Sequence, residues 1–157
     1  LSYVRPFRVT NTYGLFVNMT TERPEVIVQG RRAGGEWRTY GFRYKPDGPS
    51  EAPPWVAPHQ PRLDWQMWFA ALRGNYRQAP WTTRLARALL EGRDPVERLL
   101  GTNPFPEDPP DQVRMLLRDF SFTSWENEPG DRWWQTSKPE VFLPPVGLED
   151  FRRSPAR

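Results

Sequence analysis

Six prolines between positions 46 and 61, and four more between 104 and 110, bar regular helix and central strand from two stretches of this chain. Pro46, Pro49, Pro53, Pro54, Pro58 and Pro61 make the first stretch a stiff strap, not a flexible linker. Asn103-Pro104-Phe105-Pro106-Glu107-Asp108-Pro109-Pro110 makes the second. Regular structure must lie before, between and after them. Proline excess often accompanies disorder, but disordered chains are poor in aromatics, and here Phe, Trp and Tyr make up 14% of 157 residues, with eight Trp. A chain of this length can bury roughly 70% of its unfolded surface, so one domain with a real core is expected.

The segment before the first strap reads as β structure. Phe7 and Val9 alternate with polar residues, and Tyr13 to Val17 continues the apolar run. Glu25 to Gly30 is a β-branched strand, Arg31 to Gly35 a glycine-containing turn, and Glu36 to Tyr44 a returning strand with Tyr40, Phe42 and Tyr44 on one face. Between the straps the pattern turns helical. Asp64 to Arg73, with Trp65, Met67, Trp68, Phe69 and Leu72, is apolar nearly all round and predicts a buried helix ending at Gly74. A second helix starts at Pro80 and aligns Trp81, Leu85, Ala88 and Leu89 before Gly92. Asp94, Pro95 and Glu97 predict a third, with Asp94 as N-cap.

Beyond the second strap, a strand from about residue 114 places Leu116, Arg118, Phe120 and Phe122 on one face. Another extended run opens at Trp133-Trp134 and ends at Pro144-Pro145, and residues 147–157 read as a frayed tail. The expected fold is α+β: an antiparallel sheet, or sandwich-like strands, drawn from both ends of one domain spanning residues 1–157. A three-helix insertion over about 62–101 sits between the proline straps.

The chemical inventory is short. Cys is absent, which removes disulfides, thiolate nucleophiles and Cys-ligated metal, and no metal site or cofactor is expected. His59 is the single histidine, and no nucleophile elbow, phosphate loop or dinucleotide glycine fingerprint occurs. No catalytic residue is assigned. His59, Gln60, Arg62, Asp64 and Gln66 form a polar cluster at the entry to the first helix. Two readings stand: a clasp holding strap to helix, or a site for a small ligand or glycan.

Net charge is only +3, and the basic residues are almost all Arg, scattered among acids, so no nucleic-acid partner is expected. The Arg, Pro, Ala and Gly bias is what GC-rich coding produces and points to a bacterial source. No apolar run approaches a membrane span of ~18 residues, and without an initiator Met the chain reads as a piece excised from a longer protein. Asn18-Met19-Thr20 matches a glycosylation sequon. Trp65, Trp68 and Trp81 fall at core-facing helical positions, which leaves Trp37, Trp55, Trp125, Trp133 and Trp134 as possible partner contacts.

Four segments together resemble a known family. They are Tyr13-Gly14-Leu15-Phe16 with Met19 to Glu25, then Tyr44-Lys45-Pro46, the long motif Ala57 to Leu72, and Asn103-Pro104-Phe105-Pro106. Over residues 5–145 the chain resembles the C-terminal domain of the lipase maturation factors. The resemblance implies a parent chain embedded in a membrane with this domain extracytoplasmic, in the endoplasmic reticulum lumen in animals. It also implies a non-catalytic, chaperone-like partner of secreted dimeric lipases. Val26 to Tyr40 is in addition reminiscent of discoidin-like jelly rolls, which bind glycans or lipids at their loops. The leading expectation is a domain that engages a client protein through exposed aromatic and Arg side chains; the rival is a ligand or glycan site around His59, Arg62 and Asp64.

Overall fold

A computed structural model describes residues 23–56, 59–124 and 132–153. The expected strands over Phe7 to Val17, the sequon and Trp125 lie outside the described residues. The architecture is α+β, with a five-stranded antiparallel sheet and helices inserted between its second and third strands.

The sheet is built around one long pairing. Strand β1 (Arg23–Arg31) runs antiparallel to β3 (Gln112–Phe122) along its whole length, from Arg23 opposite Phe120 to Arg31 opposite Gln112. On the outer side of β1 lies β2, only Arg38–Thr39. The returning strand expected as far as Tyr44 therefore ends early: after Thr39 the chain turns inward, and Tyr40 and Phe42 are buried in the core. A lone bridge from Gly41 to Thr102 then ties it to the end of the helical insertion. Beyond β3 lie β4 (Trp134–Thr136) and β5 (Glu140–Val146), which pair with its two halves. Strand β5 runs through Pro144 and Pro145 instead of ending there, because it is an edge strand and its register shifts opposite Arg114, where no ladder N–H is required of them.

Side chains on one face of this sheet meet the helices. Val26, Val28, Val113, Met115, Phe142 and Leu143 pack there against Met67, Ala70 and Ala71 of α1 (Arg62–Leu72) and Leu85, Ala86 and Leu89 of α2 (Trp81–Leu90). Helix α2 buries the face expected of it, with Pro80 in helical geometry just ahead of Trp81. In α3 (Asp94–Glu97) the cap is Arg93, not Asp94, and the Asp94 carboxylate pairs with Arg98. A 3₁₀ turn over Tyr76–Gln78 links α1 to α2, where the Asn75 side chain accepts from Arg77 N and Gln78 N. The tail is ordered in part: Leu148–Arg153 forms α4, with Phe151 packed on the core, in place of the expected fraying.

The two straps do different work. The second lies on the sheet: a Cβ on Gly30 would come within 2.7 Å of the Phe105 ring, so only glycine admits the strap there. The first reaches β4 on the far flank of β3, where Pro49 O accepts from both Trp133 N and Trp134 N. Ile27, Phe120 and Trp134 form a second, smaller core with Leu116 on that other face. The described residues form one sheet with helices on one side, the antiparallel-sheet form of the expected fold and not the sandwich-like one, and they differ from the jelly roll of which the shorter stretch is reminiscent.

Candidate functional site

The polar cluster at the start of α1 divides into two parts. Asp64, in the first turn, is buried, and its Oδ1 accepts from Tyr44 N at 2.9 Å. Gln60 Nε2 donates to Tyr44 O at 3.5 Å, so both backbone groups of Tyr44 are held by the segment entering α1. The clasp is made by Asp64 and Gln60. His59 and Arg62 take no part in it; they are exposed and, with Gln60, Trp65 and Gln66, line an open hollow of about 540 Å³.

Next to this hollow stands an aromatic group that the sequence reading places in the core. Trp65, Trp68, Phe69 and Leu72 recur at the spacing of one helical face. Ring centroids lie 6.0 Å apart for Trp65 and Trp68, 5.7 Å for Trp65 and Phe69, and 5.2 Å for Trp68 and Phe69. The side of α1 turned to the sheet carries Asp64, Met67, Ala70 and Ala71 instead. Phe69 is 42% exposed and Leu72 41%, while Trp65 and Trp68 are half-buried. The helix has two apolar stripes, and the smaller one is inside.

The candidate contact tryptophans also sort out by structure. Trp55 is 84% exposed on the first strap, and Trp133 is exposed just before β4. Trp134 is 1% exposed and belongs to the interior: its ring stacks on Phe122 at 4.4 Å, meets Phe120 edge-on at 6.0 Å, and its Nε1 donates to Glu51 O. Its burial leaves no ring surface for a partner, so Trp134 is not a contact residue. Trp37 is half-buried beneath the guanidiniums of Arg31 and Arg114. Two further hollows, of about 590 and 430 Å³, flank the second strap at Pro109-Pro110 and at Phe105 respectively.

Beside the clasp lies a buried ionic group that sequence reasoning missed, because its members come from separate segments. Lys45 is buried over the Phe42 ring and hydrogen-bonds Asp47, which also accepts from Phe42 N at 2.5 Å. Glu25 on β1 is buried against the same charges, bonded by Arg23 at 2.9 Å through Oε1, with Oε2 unpaired. Burial raises the carboxyls of Glu25 and Asp47 above their ordinary values, outweighing the pull of Lys45. A carboxyl with a raised folded-state value binds its proton more tightly folded than unfolded. These two groups therefore subtract stability as pH rises above the ordinary carboxylate range, and the penalty vanishes below it. The expected outcome is that Glu25→Gln, compared with the unaltered chain in thermal melts, fares better at pH 7 than near pH 4.5, the ordinary glutamate value. A stability difference constant across that interval would refute the assignment.

Among the described residues no group of three His, Cys, Asp or Glu side chains is placed to hold a metal ion, and no helix is long and apolar enough to cross a membrane. What the site offers is recognition chemistry: aromatic faces, amides and a guanidinium around an open hollow. The fold and site define an α+β domain with an exposed aromatic and polar surface on α1.

Comparison with known proteins gives that class a family. Residues 9–144 match the model of the lipase maturation factor C-terminal domain, and the chain belongs to that family. It is 45% identical to lipase maturation factor 2 of Rattus norvegicus over 95% of this chain and 22% of the relative. The human lipase maturation factor 2 is 43% identical over 94% of this chain and 21% of its own length. Lipase maturation factor 1 of Mus musculus is 36% identical over 94% of this chain and 27% of its own length. The chain thus spans about a fifth to a quarter of the relatives it matches. No solved structure matches it.

Proposed function

We propose that this domain is a non-catalytic, extracytoplasmic client-binding module that assists the folding of secreted lipases, the clients that its relatives' names point to. The observation that supports this reading is the outward face of α1, where Phe69 and Leu72 stand exposed beside Trp65 at the rim of the hollow. Large aromatic and aliphatic side chains grouped in the open, ringed by polar residues, are what partner-binding surfaces present. In a relative from a bacterial source the client would be a secreted enzyme of that organism, and the parent chain would be anchored in the membrane.

The test uses the immobilised full chain and a secreted lipase captured during refolding. Phe69→Ser with Leu72→Ser is expected to lower capture about tenfold, the scale of losing a central apolar contact, while melting changes little because both side chains are already partly in water. Equal capture by the variant and the unaltered chain would remove α1 as the contact face.

The hollow supports a second reading, binding of a glycan or small ligand. Trp65 offers a stacking face, and His59, Gln60, Arg62 and Gln66 offer hydrogen-bond donors around it. Titration with neutral oligosaccharides, read against Trp65→Ala, separates this from protein capture.

A further inference from the structure

On the sheet face opposite the helices, the cross-strand register places Arg31 against Gln112 and Gln29 against Arg114. Arg31 Nε donates to Gln112 Oε1 at 2.8 Å and Arg114 Nε to Gln29 Oε1 at 2.9 Å, so each guanidinium is fixed through one nitrogen and keeps its terminal amino groups for another partner. Both lie over one ring, with guanidinium carbons 4.6 Å and 4.1 Å from the Trp37 centroid. Partial burial, and after it the neighbouring Arg31 charge, press the Arg114 value downward. Neither forms an ion pair with a carboxylate among the described residues. The nearby acids are engaged elsewhere: Asp108 pairs with Arg32, and Asp111 accepts from Ala33 N. Two like charges are thus held side by side on the sheet, with no carboxylate of the described residues paired to either.

The rest of that face selects what kind of anion. The same alternating row places Arg23 opposite Phe120 and Glu25 opposite Arg118, so its four guanidiniums face one carboxylate, already bonded to Arg23. Between the two charged ends lies Leu116, beside the buried Ile27 of the second core, and the next strand sets Val141, 66% exposed, opposite Leu116. A ligand that matches the surface carries negative charge at one end and aliphatic groups a strand's width away. A free phosphate, a sulfated sugar or a nucleic acid has the first and lacks the second; an acidic, aliphatic stretch of polypeptide has both.

We propose that the Arg31, Trp37 and Arg114 group, with Leu116 and Val141, is a docking site for an acidic, aliphatic segment of a partner protein. The carboxylate is received by the two guanidinium forks in charge-assisted, bidentate geometry. For the source of the segment this rests on the client-binding reading above; the surface itself is tested without it.

The experiment follows anisotropy of a labelled peptide alternating Glu with Leu and Val, titrated with the full chain at low salt. Its counterpart with Gln for every Glu is the comparison. Expected results are at least tenfold tighter binding of the acidic peptide, and at least tenfold loss in the double variant Arg31→Gln with Arg114→Gln. Arg87→Gln with Arg98→Gln, which removes the same charge from the exposed helical side, leaves binding unchanged. Equal binding of the two peptides by the unaltered chain overturns the proposal whether or not the variants fold. So does equal loss in both double variants, or displacement of the peptide by inorganic phosphate or a sulfated oligosaccharide beyond the effect of matched sodium chloride. Phe69→Ser with Leu72→Ser leaves this binding intact, so failure of the α1 surface is read apart from failure of this one.

Discussion

Trp134→Ala is expected to destabilise the chain by about 3–5 kcal/mol, the usual cost of truncating a buried aromatic. The size follows from what the ring does. It is the centre of the second core, between Phe120 and Phe122, and its indole N–H is the bond that pins Glu51 of the first strap to β4. Trp134→Phe keeps most of the apolar packing and loses that bond, for a smaller cost of about 1 kcal/mol. Denaturant melts of the two variants separate packing from pinning. A loss below about 1 kcal/mol for Trp134→Ala, far under the range for a buried aromatic, would mean that the strap does not close over this face. Trp68→Ala, by contrast, is expected to cost less than Trp134→Ala, because its ring is only half-buried.

The second large effect is expected at Lys45. Lys45→Met leaves Asp47 and Glu25 buried without the cation that faces both. Removing one partner of a buried pair costs about 3–5 kcal/mol, because the charge left behind has no water to solvate it. The sign with pH distinguishes this from lost packing. Without Lys45 the two carboxyls prefer protonation still more strongly in the folded state, so the loss should be largest at neutral pH and shrink on acidification. A loss independent of pH would assign the effect to the aliphatic stem of Lys45 over the Phe42 ring. Glu25→Gln introduced into Lys45→Met should recover part of the stability at neutral pH, since it removes one of the stranded charges.

Elements whose signals are local were legible. Prolines announce the straps because a missing N–H and a fixed φ act wherever the residue sits. The α2 stripe of Leu85, Ala88 and Leu89 and the helix stop at Gly92, which has φ +60°, could be read for the same reason. The β1 strand was visible as a β-branched run. The extent of β2 was not, since Tyr40 and Phe42 alternate as a strand would and yet turn into the core. Alternation reports which side is apolar, not whether a partner strand is there to bond. Asp94 failed as a cap because Arg93 has the extended backbone that a cap needs.

The site was legible only in outline. The His59 to Gln66 segment stood out by composition, but nothing in it distinguishes Asp64, which bonds Tyr44 twenty positions away, from Arg62, which faces the hollow. Lys45 and Glu25, or Arg31 and Arg114, come together through strand register and strap path, and one sequence without those pairings holds no trace of them.

By itself, the sequence determined that the chain folds as α+β with helices between two proline straps, because backbone restrictions and side-chain period are properties of neighbouring residues. It also determined the family, through motifs such as Ala57 to Leu72 that are read residue by residue along the chain. Only the tertiary structure decided which tryptophans are interior and which face of α1 is presented outward. Helix α1 has two apolar stripes, and periodicity alone does not say which one packs. The sheet takes Met67, Ala70 and Ala71, small or pliable side chains suited to close packing, while Trp65, Phe69 and Leu72 remain at the surface.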